Sequence, residues 1–267
     1  WLKGIEDTAL AVYDIYDISK PTIVPLGDQF TRVHSLRASD NYVVLLALPR
    51  DRDGNCSLIC NLNDNNYKYL PDNANIATTV SPIDISNDYV VFTGTAEIEV
   101  PDRDDIIKQG GCGRTNHIYV FNLKTGKTYQ LTRNIFPADI GAHTEETHPR
   151  ISGERVLYQT STFVRADKED VNSGVWTHDW RVLSVNKEEY VGNPQIGGLN
   201  RQDGMYWDAD LNREGNVFGI NGHQEALIFN GRNVLKTRHF DLYTNLVVAD
   251  ETNVAVFGTA AREGGEV

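Results

Sequence analysis

The sequence predicts an all-β fold, a five-bladed β-propeller made of four-stranded antiparallel blades. Three observations support this prediction. Helical periodicity is almost absent, whereas short β-branched and aromatic runs alternate with Gly, Asn and Asp turns. Two kinds of segment recur along the chain. Their copies pair into five units, one of which is shared between the two ends of the chain.

The first kind of segment is a polar turn followed by an apolar strand. A Ser, Asn or Asp opens each turn, as expected for side chains that hydrogen-bond the local backbone. The copies occupy 37–49, 84–96, 150–162, 210–222 and 248–260. Aligning them places five residues in register, with Val217 beside the fourth: Val43, Val90, Val156, Asn216 and Val254.

The second kind is a hairpin of two strands around a short polar turn. Its copies occupy 57–73, 117–134, 180–193, 225–238 and 10–28. The clearest turn is 124–127, where Gly126 can supply the positive φ that a tight hairpin requires. One segment of each kind makes a four-stranded unit, and a radial arrangement of such units leaves only short edges exposed.

The blades are expected at 33–73, 80–134, 147–193 and 207–238, with a fifth formed from 245–260 and 9–28. This pairing closes the ring with strands from both termini. We therefore expect residues 1–267 to form a single domain.

Two of the units carry a recognisable motif. The segments HPRISGERVLYQTST at 148–162 and HIYVFNLKTGKTYQLTRN at 117–134 resemble the PD40/TolB-like (WD40-like) propeller repeat. The family's usual S-P-D-G turn is replaced by Ser152-Gly153-Glu154-Arg155. The resemblance implies a propeller and says little about function, because such repeats occur in periplasmic partner-binding proteins, cell-surface modules, peptidase gating domains and polysaccharide lyases.

Charge and cysteine content narrow the function classes. With 25 Lys and Arg against 37 Asp and Glu, the net charge of −12 disfavours nucleic acids and anionic membranes as partners. No apolar run is long enough for a membrane-spanning helix. Cys56 and Cys60 are expected on one strand, where they are too far apart to form a disulfide with each other. Two alternatives stay open: one of the two forms a disulfide with Cys112, or the thiols are free and buried.

Residues that precede the first-kind segments are expected to gather at one face of the channel. The ligand- or partner-binding candidates there are His34, Tyr206, Trp207 and Tyr243. The stretch 143–148 is the richest in ionisable side chains. Together with Asp208, it supplies the residues that an enzyme would use: His143, Glu145, Glu146, His148 and Asp208.

A second candidate site is the turn 51–55. Asp51, Asp53 and Asn55 alternate oxygen-bearing side chains next to a glycine, which resembles the start of a Ca²⁺ loop. An ordinary Asp-Gly turn has the same composition. Calcium is the one cofactor that the sequence suggests.

The absence of any nucleophile motif favours a non-catalytic module that is extracellular, on the cell surface or periplasmic, and that binds a protein partner or assembles with itself. The alternative is a carbohydrate-active enzyme, a polysaccharide lyase or glycoside hydrolase, with a metal-assisted site at the channel mouth. Oligogalacturonate lyase-like propellers resemble this chain in having a channel histidine before a proline, as in His148-Pro149.

Overall fold

The computed structural model describes most of the predicted strands. The described residues are 8–14, 17–39, 41–51, 54–70, 77–78, 83–97, 114–132, 143–165, 174–185, 206–221, 225–229, 234–239, 242–249 and 254–260. Within these ranges all regular structure is β-strand, as predicted, and every strand pair is antiparallel.

The strands form six sheets in chain order. The first sheet is β1 (Thr8–Asp14) and β2 (Asp17–Gly27). The next comprises β3 (Phe30–Ser39), β4 (Tyr42–Pro49), β5 (Cys56–Asn61) and β6 (Asn66–Leu70). The third comprises β7 (Ala77–Thr78), β8 (Asp84–Ser86), β9 (Tyr89–Glu97), β10 (Arg114–Asn122) and β11 (Lys127–Gln130).

The second half of the chain continues the same pattern. The fourth sheet is β12 (His143–Ser152), β13 (Arg155–Arg165) and β14 (Gly174–Ser184). The fifth is β15 (Tyr206–Leu211), β16 (Val217–Asn221), β17 (Glu225–Phe229) and β18 (Val234–His239). The last is the hairpin of β19 (Leu242–Ala249) and β20 (Val254–Ala260).

The core consists of apolar layers between successive sheets. Val24 and Leu26 of the β1–β2 hairpin pack on the β3–β6 sheet. A second apolar layer lies between the β3–β6 sheet and the β7–β11 sheet. A third lies between the β7–β11 sheet and the β12–β14 sheet, and a fourth lies between β12–β14 and the strands β15 and β16. Because both faces of a sheet are covered, its second strand is a continuous apolar run: Val43 to Ala47 are all buried.

The predicted turns lie where expected. Gly126 has a φ of 70° in the turn between β10 and β11, and Gly153 has a φ of 61° between β12 and β13. These left-handed conformations favour glycine because they cost it no Cβ clash. The two glycines confirm both hairpins.

One detail of the repeat alignment is wrong. Val217, not Asn216, takes the position equivalent to Val156, because Val217 pairs with Leu211 as Val156 pairs with Ile151. The loop 212–216 is one residue longer than its counterparts, and Asn212 closes it by accepting a hydrogen bond from the Asn216 backbone N–H at 2.9 Å.

Candidate functional site

The strand in which each first-kind segment begins lies beside the strand in which the next such segment begins. β3 packs against β8, β8 against β12, β12 against β15, and β15 against β19. We call these five the inner strands. They hold most of the candidate site residues, so their side chains decide what chemistry the centre of the molecule can support.

The first buried polar group on the inner strands is Glu146 of β12. Its side chain is 2% exposed, and its Oε2 lies 3.1 Å from Nδ1 of His117 on β10. The histidine is 6% exposed. The pair therefore bridges the β7–β11 sheet and the β12–β14 sheet in a site closed to solvent.

A bulge in β12 directs Glu146 to this side. The register of β12 against β13 shifts between Thr147 and Arg150. Two residues there oppose the single Tyr158 of β13: His148, with an uncommon positive φ of 55°, and Pro149, which has no N–H for the ladder. Glu146 is opposite Thr160 and faces the β7–β11 sheet, whereas Arg150 is opposite Leu157 and faces the β15–β18 sheet.

The second buried group is Asp84 of β8. Its Oδ2 accepts a hydrogen bond from the Ile151 backbone N–H of β12 at 2.9 Å, and its Oδ1 accepts one from Ile85 at 2.9 Å. Nε of Arg37 on β3 is 3.8 Å from Oδ1. Burial raises the pKa of the Asp84 carboxyl, while the Arg150 charge, the Ile151 N–H, Arg37 and the Ile85 N–H oppose that rise.

His148 is half-buried beside Trp180. Its Nδ1 lies 2.9 Å from Oγ1 of Thr147, and its ring meets the Trp180 ring edge-on at 6.4 Å between centroids. Trp180 is 1% exposed, as a core position requires, and its indole N–H has no hydrogen-bond partner among the described residues. Glu145, which directly precedes Glu146 in β12, is half-buried.

The other predicted binding residues are placed only by their backbone. His143 is the first residue of β12 and Tyr206 the first of β15, with Trp207 and Asp208 following it. Tyr243 is the second residue of β19, and His34 lies in β3 where the register shifts between Val33 and Ser35. Their side chains lie beyond what the structure describes, so their convergence stays a prediction.

The predicted calcium site is described in part. Asp51 is exposed and Asn55 is half-buried, while Asp53 falls outside the described residues. In the described ranges, no three His, Cys, Asp or Glu side chains group so as to hold a metal ion. The Ca²⁺ loop stays a prediction.

The structure also locates two of the three cysteines. Cys56 and Cys60 lie on β5, as predicted, and both are buried. Burial raises the pKa of Cys60 to about 11. Cys112 is not among the described residues. The described part of the chain contains no helix suited to crossing a membrane.

Sequence reasoning missed His117, Arg37, Asp84 and Arg150 as members of the site. A signal for three of them was present in the repeats. The first-kind segments begin with Arg37, Asp84, Arg150, Asp210 and Val248. A charge therefore recurs at one register position in four of the five copies. His117 opens a hairpin segment and carries no comparable signal.

Successive antiparallel sheets stacked through their inner strands define a β-propeller. Pyrococcus horikoshii acylaminoacyl peptidase superposes on this chain with a TM-score of 0.55 at 14% identity, over 88% of this chain and 36% of that chain. TolB from Acinetobacter baumannii superposes with a TM-score of 0.46 at 11% identity, over 86% of this chain and 48% of that chain.

The β-propeller domain of the Trilobed protease from Pyrococcus furiosus superposes with a TM-score of 0.41 at 12% identity, over 86% of this chain and 79% of that chain. No protein-family model and no curated protein matches the chain. The β-propeller predicted from the repeats is thus confirmed as a fold. The chain spans about a third of the peptidase, 36% of its length.

Proposed function

We propose that this chain is a non-catalytic β-propeller module that binds a protein partner or a second copy of itself outside the cytoplasm. The observation that carries the proposal is the burial of Glu146 against His117. A general base must reach its substrate, and a carboxylate closed between two sheets does not. Asp84 is likewise engaged, by two backbone N–H groups. The extracellular or periplasmic location rests on the resemblance to TolB-like repeats.

The binding surface that we propose is the rim where the inner strands begin. Tyr206, Trp207 and Tyr243 stand at the starts of β15 and β19. Aromatic side chains suit this role because they supply contact area at little entropic cost. Light scattering should give a mass in multiples of 29.9 kDa for a self-assembling chain, and Tyr206→Ser with Trp207→Ser should reduce it to a single chain.

One observation favours the alternative, a carbohydrate-active enzyme. His148 has a positive φ and its ring lies edge-on to the buried ring of Trp180, and backbone strain of this kind is often found at functional sites. Incubation with polygalacturonate and with neutral polysaccharides tests this alternative. We expect no product above that of the His143→Ala/His148→Ala variant. Product release by the wild type that the double variant abolishes would overturn the non-catalytic assignment.

We propose further that the ring has five blades and is closed by strands from both termini. β2 lies against β6, the outermost strand of its sheet, so the β1–β2 hairpin occupies the outer half of a blade. The inner half is left for β19 and β20. Leu36 of the inner strand β3 lies on the face that this hairpin covers, since it pairs with buried Leu45, yet it is 42% exposed.

The opposite face of the hairpin supports the same arrangement. Tyr13 and Ile23 are 53% and 43% exposed there, and Ala11 pairs with Ile23 on the same face. A hairpin that is apolar on both faces fits between two blades. The β17–β18 hairpin of the fourth blade is the cover that we propose for this second face.

Replacing Leu36 by Asp tests the closure. In the closed ring the new carboxylate is buried under β19, and we expect the free energy of unfolding to fall by about 2 kcal/mol or more. In an open chain the change is a surface substitution worth less than about 0.5 kcal/mol. Urea unfolding measures the difference. Asn63→Asp, in an exposed turn, adds the same charge as a control.

A further inference from the structure

The four charged residues that open the first-kind segments occupy equivalent places in the structure. Arg37, Asp84, Arg150 and Asp210 each stand one residue before the residue that pairs with the aligned valine of the next strand, which is Val43, Val90, Val156 or Val217. Their signs alternate along the chain. We call these four residues the charge belt.

Three members of the charge belt face the following blade, and Asp210 faces away from the preceding one, because its neighbours Ala209 and Leu211 pack towards β12–β14. Arg37 is opposite Val44, which packs towards the β7–β11 sheet, and Asp84 is opposite Val91, which packs towards the β12–β14 sheet. Arg150 is opposite Leu157, which packs towards β15 and β16. Two contacts between blades agree with these directions: Arg37 approaches Asp84, and Asp84 accepts a hydrogen bond from a backbone N–H of β12.

Asp84 shows how an aspartate at this position works. One oxygen accepts the backbone N–H of the next residue, Ile85, and the other reaches the inner strand of the next blade at Ile151. Ile151 directly follows Arg150, the belt member of that blade. Asp84 thus links two blades through a backbone N–H, which any residue other than proline could supply.

Asp210 repeats the local half of this arrangement. It is buried, and its Oδ1 accepts the N–H of its own next residue, Leu211, at 2.9 Å. Its strand β15 packs against β19, the inner strand of the C-terminal hairpin. The residue in β19 that corresponds to Ile151 is Ala249, because Ala249 pairs with Val254 as Ile151 pairs with Val156.

We propose that Asp210 docks the C-terminal hairpin by accepting the backbone N–H of Ala249. The carboxylate of Asp210 is then a positioning group for the last inner strand, as Asp84 is for β12. The inference does not depend on closure of the ring, because β15 and β19 already pack together.

The fifth position explains why a backbone donor is used. Five charges in a closed ring cannot alternate throughout, so two like charges would meet unless one position were neutral. Val248 is that neutral position, and in the five-bladed ring proposed above it stands between Asp210 and Arg37. The Ala249 N–H would give the Asp210 carboxylate a donor at a place where no arginine stands.

The test is Asp210→Asn in the full chain, followed by hydrogen exchange. The amide oxygen still accepts from Leu211, but the amide nitrogen cannot accept from Ala249. We expect exchange in peptides spanning 246–254 to accelerate at least about tenfold, with peptides of β9 and β10 unchanged. Asp84→Asn is the matched control and should accelerate exchange at Ile151 instead.

The inference is overturned if Asp210→Asn leaves exchange at 246–254 unchanged while Asp84→Asn releases Ile151. If Asp210→Asn does not fold, Asp210→Ser replaces it, since serine still bonds the local backbone but is too short to reach β19. Unchanged exchange in that variant would overturn the inference equally. If exchange at 246–254 is unchanged but Leu36→Asp still destabilises the protein, the Asp210 contact is wrong and the proposal of a closed ring stands.

Discussion

Replacing Glu146 by Ala is expected to lower the free energy of unfolding by roughly 3 kcal/mol. The substitution removes the partner of His117 and leaves the imidazole buried between two sheets. Water cannot compensate for the lost contact, because both side chains are almost fully enclosed. Urea unfolding, followed by tryptophan fluorescence, measures the change.

Two further variants separate the pair from general effects of substitution at this strand. Glu146→Gln keeps the shape and one hydrogen-bonding oxygen, so we expect less than half of the loss. Glu154→Ala lies in an exposed turn and should change stability by less than about 0.5 kcal/mol. Equal losses for Glu146→Ala and Glu154→Ala would mean that the buried pair contributes nothing to stability.

Replacing Arg150 by Met is expected to cost roughly 3–5 kcal/mol near neutral pH, because it leaves the buried Asp84 carboxylate without its strongest opposing charge. The loss of stability caused by the substitution should become smaller as the pH is lowered. Burial already raises the pKa of Asp84, so this group favours the folded state most below the unfolded pKa and less as pH rises through the folded value. Without Arg150 that pKa rises further.

The wild type and Arg150→Met should therefore differ little near about pH 3, where Asp84 is protonated in both, and differ most near about pH 7. Urea unfolding at both values measures this dependence. Arg50→Met, at an exposed position, is the control for loss of one positive charge. A difference that is the same at both pH values would show that Arg150 acts through packing alone.

The repeats predicted the strands well because the pattern behind them is local. Each first-kind segment combines a turn residue with an apolar run, and the segments at 84–96 and 150–162 became β8–β9 and the end of β12 with β13. The turn at Gly126 was predictable for the same reason. The alignment failed only at Asn216, where one extra loop residue shifts the strand by one position.

The role of Glu146 shows where such reasoning stops. The sequence predicted it as a channel-mouth residue beside Glu145 and His148. A strand turns successive side chains to opposite faces, so one bulge reverses the face of every residue beyond it. The bulge at His148 and Pro149 places Glu146 and Arg150 on opposite faces. Pro149 signals an irregular strand, since proline within a sheet is confined to edges and bulges, but the sequence does not show which face Glu146 takes.

The amino-acid sequence by itself determined the strand class, the hairpin turns and the succession of repeats, because these depend on residues within a few positions of one another. Only the tertiary structure decided which polar groups meet. His117 and Glu146 are 29 residues apart, and Asp84 and Ile151 are 67 apart. Such pairs form only when the sheets stack. Stacking removes water from the charged groups, and each buried group then needs a hydrogen-bonding partner on the neighbouring sheet.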